Sequence, residues 1–583
     1  MAEKIVSPGV FTNEIDASFL PAAIGDIGAA VLGPTVKGPV GIPTVVTSYA
    51  EYQERFGDSF KSGSNYYTYF TSIAAKNYLQ HSGQLTVVRV AGDGASNATA
   101  NVGSGSSAGS TVFTLNTISD GEVLNNTSSI GTNNVLADGT KDNIRYEIST
   151  KNDKKGTFTL VVRRGDDTEK RKTALETWKD LSLDPNSGNY IGARLGTQRS
   201  SVVTDGGTSY VKPVGEYPNK SKYVYVSNIL DTVDYLNENG ELRVSAASAS
   251  LPALGSGSFG GSFSGGSDGV KVAADTAHAF YDSVDTANWQ GLNLTAASET
   301  GSTQFIQALN LLANDDEYDI NMILMPGVAN NIASHLVSKA IDVAESRQDT
   351  FVVADPVKYG AALTDAVSAA ETYDSNYAAM YWPWVQVNEP QLGRNVWVPP
   401  SSVMAGVIAF NDKVSHEWFA PAGLNRGGIE TAIQAERKLT HGNRDTLYES
   451  SVNPLATFPG EGVCAWGQKT LQKKSSALDR VNVRRLLIRV KKFIAASSRF
   501  LVFEQNNAAT RTRFLNIANP FLERVQQQSG LSAFRVVMDD TNNTPDLVDR
   551  NILFGQIFLQ PTRTAEFIVL DFTVQPTGAT FPE

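Results

Sequence analysis

The stretch that decides the fold runs from residue 302 to residue 356 and reads STQFIQALNLLANDDEYDINMILMPGVANNIASHLVSKAIDVAESRQDTFVVADP. Apolar residues first recur at helical spacing, and an apolar run at 320–325 then ends at Pro326-Gly327. A second helical pattern leads to the apolar run at 351–354. Because crossover helices join parallel strands in this order, the stretch predicts a parallel sheet flanked by helices.

Further elements follow toward the carboxyl end. Residues 403–410 fit a strand or a helix, and we favour the helix. Helices are also predicted near residues 483–494 and 508–528. Strands are predicted at residues 377–382, 534–538, 552–559 and 566–574, the last two joined by a hairpin at 560–563. The last hundred or so residues therefore predict a compact α/β unit.

Length and composition limit the class of protein. A chain of 583 residues is too long for one core, and two to four domains are expected. The net charge of -11 argues against nonspecific nucleic-acid binding by the whole surface. The single cysteine, Cys464, excludes an intrachain disulfide and is predicted to be a core residue of a protein folded in a reducing compartment. Without a signal-peptide pattern at 1–15 or a long apolar window, we expect a soluble protein made in the cytoplasm.

Two Gly/Ser-rich stretches divide the chain, at residues 92–110 and 245–269. Such stretches bury little apolar area, and they predict linkers or surface loops. The block between them is polar and strand-rich, with Thr, Asn and Gly turns. It predicts β-rich material inserted into a larger domain.

The sequence gives little support for a catalytic site. The segments His441-Gly442-Asn443 and Gly207-Thr208-Ser209-Tyr210 faintly echo the His and Ser motifs of subtilisin, but here the Ser precedes the His. A phosphate-binding loop, a zinc-protease motif and a nucleophile elbow are missing. The acidic clusters at 315–317 and 539–540 are predicted to be turn and helix-end charges. We predict a protein without enzymatic activity, metal or cofactor.

The strongest local charge lies between Lys469 and Arg499, where ten basic residues stand beside one acid, Asp479. Within the predicted helix the candidate contact residues are Arg484, Arg485, Arg489, Lys491 and Lys492. Three of them, Arg485, Arg489 and Lys492, share one helical face. This face predicts either a solvated surface or a contact with an acidic partner. Nucleic acid is the least favoured partner, because no aromatic residues interleave with the charges.

Several motifs resemble, in the same order, those of contractile tail sheath proteins of bacteriophages. They are SPGVF at 7–11 followed by NEID at 13–16, AAVLGPTVKGPVGIPTVVTSYAEYQERFG at 29–57, YAAMYWPW at 377–384, VWVPPS at 396–401, VNP at 452–454, FPG at 458–460 and AWG at 465–467. Residues 92–288 match nothing in that family, whose outer insertion varies.

The resemblance implies an α/β multidomain fold with a mixed or parallel-sheet α/β core, which is subtilisin-like in this family. It also implies an inserted β-rich domain, an α+β C-terminal domain and extended arms at both ends. The expected boundaries are an N-terminal arm at 1–20, the first part of the core at 21–91, the insertion at 92–288, the α/β core at 289–464, the C-terminal sheath domain at 465–574 and a C-terminal arm at 575–583.

In the family resembled, extended ends of one subunit add strands to the sheets of its neighbours. The candidate residues in the N-terminal arm are Val6, Pro8, Val10, Phe11 and Ile15, and those near the C-terminus are Ile568, Leu570, Phe572 and Val574. Pro8 suits the start of an edge strand because it offers no N–H. The basic helix would then face the tail tube or a neighbouring subunit.

The resemblance further implies stacked hexameric rings around a tail tube, which contract to drive the tube through the host envelope. The implied partners are other copies of the chain, the tube protein, and the baseplate and tail terminator proteins, with no nucleic acid and no membrane. The protein would be assembled in the host cytoplasm and reside in the virion tail. Two alternatives stay open: the sheath of a related non-viral contractile injection particle and, remotely, a hydrolase on the α/β domain.

Overall fold

The computed structural model describes residues 28–62, 65–104, 111–205, 208–232, 239, 241, 251–269, 284–389 and 391–568. The expected N-terminal arm at 1–20 and C-terminal arm at 575–583 lie outside these residues.

The first part of the core carries short strands and two helices. They are β1 (Gly28–Gly33), β2 (Thr44–Val46), α1 (Tyr49–Phe56), β3 (Ser59–Ser62), β4 (Asn65–Thr68), α2 (Phe70–Leu79) and β5 (Leu85–Arg89). Helix α1 begins where the Ser48 side chain accepts a hydrogen bond from the Glu51 N–H, and it ends at Gly57, whose φ is 73°. The two ends of α1 are therefore defined by a side-chain cap and a glycine.

The block that follows is β-rich. Its elements are β6 (Asn97–Gly103), β7 (Thr111–Asp120), β8 (Ile144–Asn152), β9 (Thr157–Arg164), β10 (Ala174–Ser182), α3 (Ile191–Leu195), β11 (Arg199–Asp205), β12 (Thr208–Val214) and β13 (Val224–Ser227). They form the sheets β10-β9-β8, β13-β7-β6 and β11-β12. The first two sheets share a core of their own, which includes Phe113, Leu160 and Phe263.

The Gly/Ser-rich stretches are not linkers where the structure describes them. Residues 97–103 of the first form β6. In the second, Ser264 pairs with Thr99 through two main-chain hydrogen bonds of 2.7 and 2.9 Å, and Phe263 is fully buried. A Cβ at Gly261 would lie 2.1 Å from the carbonyl oxygen of Tyr146. The linker alternative was wrong here, because the glycines allow close main-chain packing instead of freedom, whereas exposed residues such as Phe259 fit the alternative of a surface loop.

The chain then returns to the core. The elements are α4 (Thr300–Leu312), β14 (Ile320–Ala329), α5 (Asn330–Arg347), β15 (Phe351–Asp355), α6 (Leu363–Glu371), β16 (Ala378–Trp382), β17 (Val385–Glu389), β18 (Arg394–Val398), α7 (Pro400–Val414), β19 (Ala432–Ala435), α8 (His441–Glu449), β20 (Val452–Phe458) and β21 (Gly462–Ala465). The favoured helix at 403–410 is confirmed within α7. The strand was expected to end at Pro326-Gly327, but β14 continues to Ala329, so this expectation was wrong. The register between β14 and β15 shifts at this point.

The central sheet has the order β2-β5-β1-β14-β15-β16-β20-β21. Strands β5 to β20 in this order run parallel, whereas β2 and β21 pair antiparallel at the two edges. The predicted parallel sheet is confirmed as the middle of a mixed sheet. Helices α4, α5, α6 and α8 cover one face, and α1, α2 and α7 cover the other. Cys464 is buried on β21, as predicted.

The C-terminal unit contains α9 (Val481–Ser498), α10 (Ala508–Gln527), β22 (Leu531–Val537), α11 (Pro545–Asp549) and β23 (Gln556–Pro561). The Asn507 side chain caps α10 by accepting from the Thr510 N–H. The predicted hairpin at 560–563 is wrong in the described residues, because β23 pairs with β22 and residues 562–568 form no strand. Residues 569–574 lie outside the described part.

Candidate assembly interface

Helix α9 docks its basic residues onto acidic residues of the same chain. The guanidinium of Arg485 contacts the carboxylate of Asp412 on α7, with Nη1 2.7 Å from Oδ1. The ammonium of Lys492 lies 2.6 Å from Asp319 and 3.2 Å from Asp349. Arg489 is 3.8 Å from Glu417. These pairs join the C-terminal unit to the central domain.

Burial and neighbouring charges shift the pKa values of the residues in these pairs. Burial lowers the pKa of Arg485, but Asp412 more than offsets this effect and the pKa is raised. Burial, followed by the neighbouring Asp412, raises the pKa of Glu417. The buried Arg485 and Lys492 therefore depend on their acidic partners, because a buried charge without a partner is costly.

The basic residues therefore do not form the exposed face that the helical spacing suggested. Arg484, Arg485 and Lys492 are buried, and Arg484 stacks 3.5 Å from the centre of the Tyr377 ring. Lys491 is exposed and donates to Gln348 at 3.2 Å, while Arg489 is partly exposed. A contact with an acidic surface of the same chain was not among the alternatives. A contact of α9 with the tube or a neighbour stays a prediction.

Strands β22 and β23 form a sheet of two strands among the described residues. One face of this sheet packs on α9 and α10 through Phe534, Val536, Ile557 and Leu559. Each strand thus has one edge on which no described strand lies. Open edges of this kind accept a further strand by main-chain hydrogen bonding. These two edges are therefore the candidate acceptor for extended segments.

Exposed apolar side chains lie at one end of the same unit, at Phe500, Val502, Phe503, Ile552 and Phe554, here called the apolar tip. The Asn506 side chain donates to the Ile552 carbonyl at 3.0 Å and so links the two segments of the tip. Phe503 is fully exposed and has a φ of 70°, which is unfavourable for a bulky side chain. A patch of this composition is typical of a surface that binds another protein.

Glu566 holds the segment after β23 to the rest of the chain. Its carboxylate accepts from Arg480 Nε at 2.7 Å and Arg480 Nη2 at 3.0 Å, and from the Tyr448 hydroxyl at 2.8 Å. The Gln468 side chain donates to Glu566 at 3.1 Å and to Thr564 at 2.6 Å. We call these five residues the Glu566 clasp. Two residues later Ile568 is exposed, whereas Leu570, Phe572 and Val574 lie outside the described residues.

The N-terminal candidates Val6, Pro8, Val10, Phe11 and Ile15 also lie outside the described residues. Sequence reasoning missed the Glu566 clasp and the apolar tip. The run RFLVF at 499–503 between two predicted helices was a signal for the tip. The clasp left no local signal, because its residues are up to 118 positions apart.

Residues considered for catalysis are not brought together. Ser209 is buried in the β11–β12 hairpin and bonds to Thr204, while His441 is exposed at the start of α8 and pairs with Asp445. A different pair, Ser302 and His335, is 2.9 Å apart. Ser302 has no exposed surface, and no carboxylate of the described residues orients the His335 ring. This pair is therefore not arranged as a nucleophile and base.

One residue of each acidic cluster pairs with an arginine. Asp316 pairs with Arg499, and Asp540 pairs with Arg511. In the described ranges no group of three or more His, Cys, Asp and Glu could hold a metal ion. In the same ranges no helix has the length and apolar character to cross a membrane.

One buried carboxylate links the elements around the sheet. Asp355, at the end of β15, accepts from the Gly327 N–H at 2.9 Å, the Ser401 N–H at 2.9 Å and the Ser401 hydroxyl at 2.6 Å. Burial raises the pKa of Asp355 to about 6, although these three hydrogen bonds lower it. The carboxylate ties β14 and β15 to the first turn of α7, which is a structural role.

Comparison with known proteins identifies the two domains that carry this interface. Residues 296–471 match the phage tail sheath protein central domain, and residues 473–575 match the phage tail sheath C-terminal domain. This part of the chain belongs to the phage tail sheath family. The open-edged sheet, the apolar tip and the Glu566 clasp all lie within the sheath domains.

Curated relatives agree with the family. The tail sheath protein of Enterobacteria phage T4 is 32% identical over 310 residues, which cover 50% of this chain and 47% of the relative. The tail sheath protein of Vibrio phage KVP40 is 31% identical over 318 residues, covering 49% of this chain and 46% of the relative. The chain thus spans about half the length of the curated relatives it matches. Both relatives are tail sheath proteins of phages.

The fold is similar to that of a solved sheath tail protein from Listeria innocua. The TM-score is 0.52 at 10% identity, over 92% of this chain and 96% of the other. This similarity concerns the fold alone. It extends over more of the chain than the sequence matches do.

Proposed function

We propose that the chain is the structural subunit of a contractile phage tail sheath. It polymerises as stacked hexameric rings around the tail tube, and the sheath contracts to drive the tube through the host envelope. The observation that carries the proposal is the two-stranded sheet β22–β23 in a sheath C-terminal domain, with an open edge on each strand among the described residues. A lattice of identical subunits can fill both edges.

The strands that fill these edges come from neighbouring copies. The N-terminal arm supplies one through Val6, Pro8, Val10, Phe11 and Ile15, and the C-terminal arm supplies the other. Each main-chain hydrogen bond contributes only about 0.5–1.5 kcal/mol, so several bonds per arm in a repeating lattice are needed to hold it together. The arms keep subunits connected while the subunits rotate and move outward.

The ion pairs of α9 favour subunits that move as near-rigid bodies, because they lock the C-terminal unit to the central domain. The energy of contraction is then the difference between two packings of these bodies, fixed at assembly without a nucleotide. Lys491 and the partly exposed Arg489 remain for contact with the tail tube or a neighbouring subunit. Baseplate and tail terminator proteins are the partners at the two ends.

Negative-stain electron microscopy of the purified protein tests this proposal. We expect long tubes or rings that form above a threshold protein concentration. Monomers at every concentration, with no tubes or rings, would contradict it. A non-viral contractile injection particle would produce the same tubes, and neighbouring capsid and terminase genes distinguish the phage from that particle.

A further inference from the structure

The chain leaves the C-terminal unit along a path that its own subunit fixes. After β23, the Thr562 N–H donates to the Gly530 carbonyl at 3.2 Å, and Thr564 accepts from Gln468. Glu566 then meets residues from two separate regions: Tyr448 on α8, and Arg480 directly before α9. The segment 562–566 therefore crosses from the C-terminal sheet back to the central domain.

The contacts of Glu566 are stronger than those of a surface ion pair. Arg480 binds both carboxylate oxygens, and its guanidinium is also held by Asp479 at 3.1 Å. Burial raises the pKa of Glu566, but the hydrogen bonds from Arg480, Tyr448 and Gln468 more than offset this, and the pKa is lowered. The carboxylate therefore remains ionised and anchored at neutral pH.

The residues directly after the clasp are different in character. Phe567 and Ile568 are apolar, and both are about four-fifths exposed at 79% and 80%. An anchored carboxylate followed by two exposed apolar side chains presents these side chains at a fixed place on the subunit. Fixing a segment before it binds removes part of the ordering cost of binding.

We propose that Glu566 is a positioning residue for polymerisation, because it fixes where the C-terminal arm leaves its subunit for a neighbouring copy. This inference rests on the proposed exchange of strands. Loss of the clasp leaves each subunit folded but lets the arm depart in many directions. Polymerisation then needs a higher protein concentration.

The test compares Glu566→Gln with the control Glu504→Gln, which breaks a more exposed pair with Arg513 in the same unit. Sedimentation and negative stain give the lowest concentration at which tubes form. We expect Glu566→Gln to raise this threshold about tenfold or more, as removal of one charge-assisted anchor suggests, with the thermal midpoint of the monomer nearly unchanged. Glu504→Gln should assemble like the unmodified protein. An unchanged threshold in Glu566→Gln overturns the proposal. Loss of folding in both single variants, Glu566→Gln and Arg480→Lys, also overturns it, because these residues would then be needed for folding and not for positioning the arm.

A readout on the monomer separates this inference from the proposed function. Trypsin cleaves after Arg563, which lies inside the clasped segment. We expect cleavage there to be about tenfold faster in Glu566→Gln than in Glu504→Gln, even if the unmodified protein forms no tubes. If the unmodified protein forms no tubes but Glu566→Gln is cleaved faster, the sheath proposal is contradicted and the role of Glu566 in anchoring the segment is retained. Equal cleavage rates in the two variants contradict that role.

Discussion

Arg485 on α9 and Asp412 on α7 form a two-oxygen ion pair across the junction of the two sheath domains. The Arg485 side chain is only 5% exposed, and that of Asp412 is 26% exposed. Arg485 is thus the most buried basic side chain among the ion pairs of α9. Removal of the Asp412 carboxylate should leave the buried charge of Arg485 without its partner.

Asp412→Ala should lower the free energy of unfolding by about 3 kcal/mol, because it leaves the guanidinium of Arg485 buried without its main partner. The matched control is Asp316→Ala, which removes the partner of Arg499 in a pair that is 65% and 82% exposed. That change should cost less than about 1 kcal/mol. Urea denaturation of the unassembled variants measures both values, and equal losses would contradict the assigned role.

Asp355 predicts a specific dependence of stability on pH. Its pKa is raised from 3.8 to about 6 in the folded protein, so folding favours the protonated carboxyl. The contribution of this group to stability therefore increases as the pH falls from about 6 to about 4, by on the order of 3 kcal/mol in total. The difference in unfolding free energy between the unmodified protein and Asp355→Asn, measured by urea denaturation across this range, should show that slope. A flat difference would contradict the raised pKa.

The apolar tip should affect assembly and stability in opposite directions. Phe503→Gly removes an exposed apolar side chain and relieves a φ of 70°, so the monomer should gain up to about 1 kcal/mol. The same variant should raise the concentration threshold for tubes severalfold. Phe259→Gly, at an exposed Phe of the inserted block, is the control and should leave the threshold unchanged. Normal assembly of Phe503→Gly would show that the tip is not part of the interface.

Deletion of residues 1–15 should leave a folded monomer that does not polymerise, because one open edge of β22–β23 then lacks its strand. Circular dichroism and the thermal midpoint report folding, and electron microscopy reports assembly. A deletion of residues 106–109, between β6 and β7, is the control and should assemble normally. Sheaths of normal appearance from the first deletion would refute the role of the N-terminal arm.

Periodicity predicted the parts of the fold that depend on local pattern. The helices and buried strands between residues 302 and 356 and the helix within α7 were confirmed, since burial on both faces leaves a clear apolar signature. The packing of residues 251–269 was not predicted. The sequence does not distinguish a glycine that packs against a carbonyl oxygen, as Gly261 does, from a glycine in a flexible linker.

The candidate site was predicted less well than the fold. The basic residues of α9 were identified, but their partners Asp412, Asp319 and Asp349 are 73 to 173 positions away. Tertiary structure alone brings these residues together. The charge pattern therefore indicated a contact without indicating that the contact lies within one chain. The Glu566 clasp was missed for the same reason.

The central claim is that segments of neighbouring copies pair with the free edges of β22 and β23. Electron cryomicroscopy of assembled tubes, at a resolution that traces the main chain, tests it most directly. We expect a strand from one neighbouring copy beside β22 or β23, and a strand from a second copy beside the other. Tubes in which both chain ends fold back onto their own subunit, with those edges unpaired, would contradict the account.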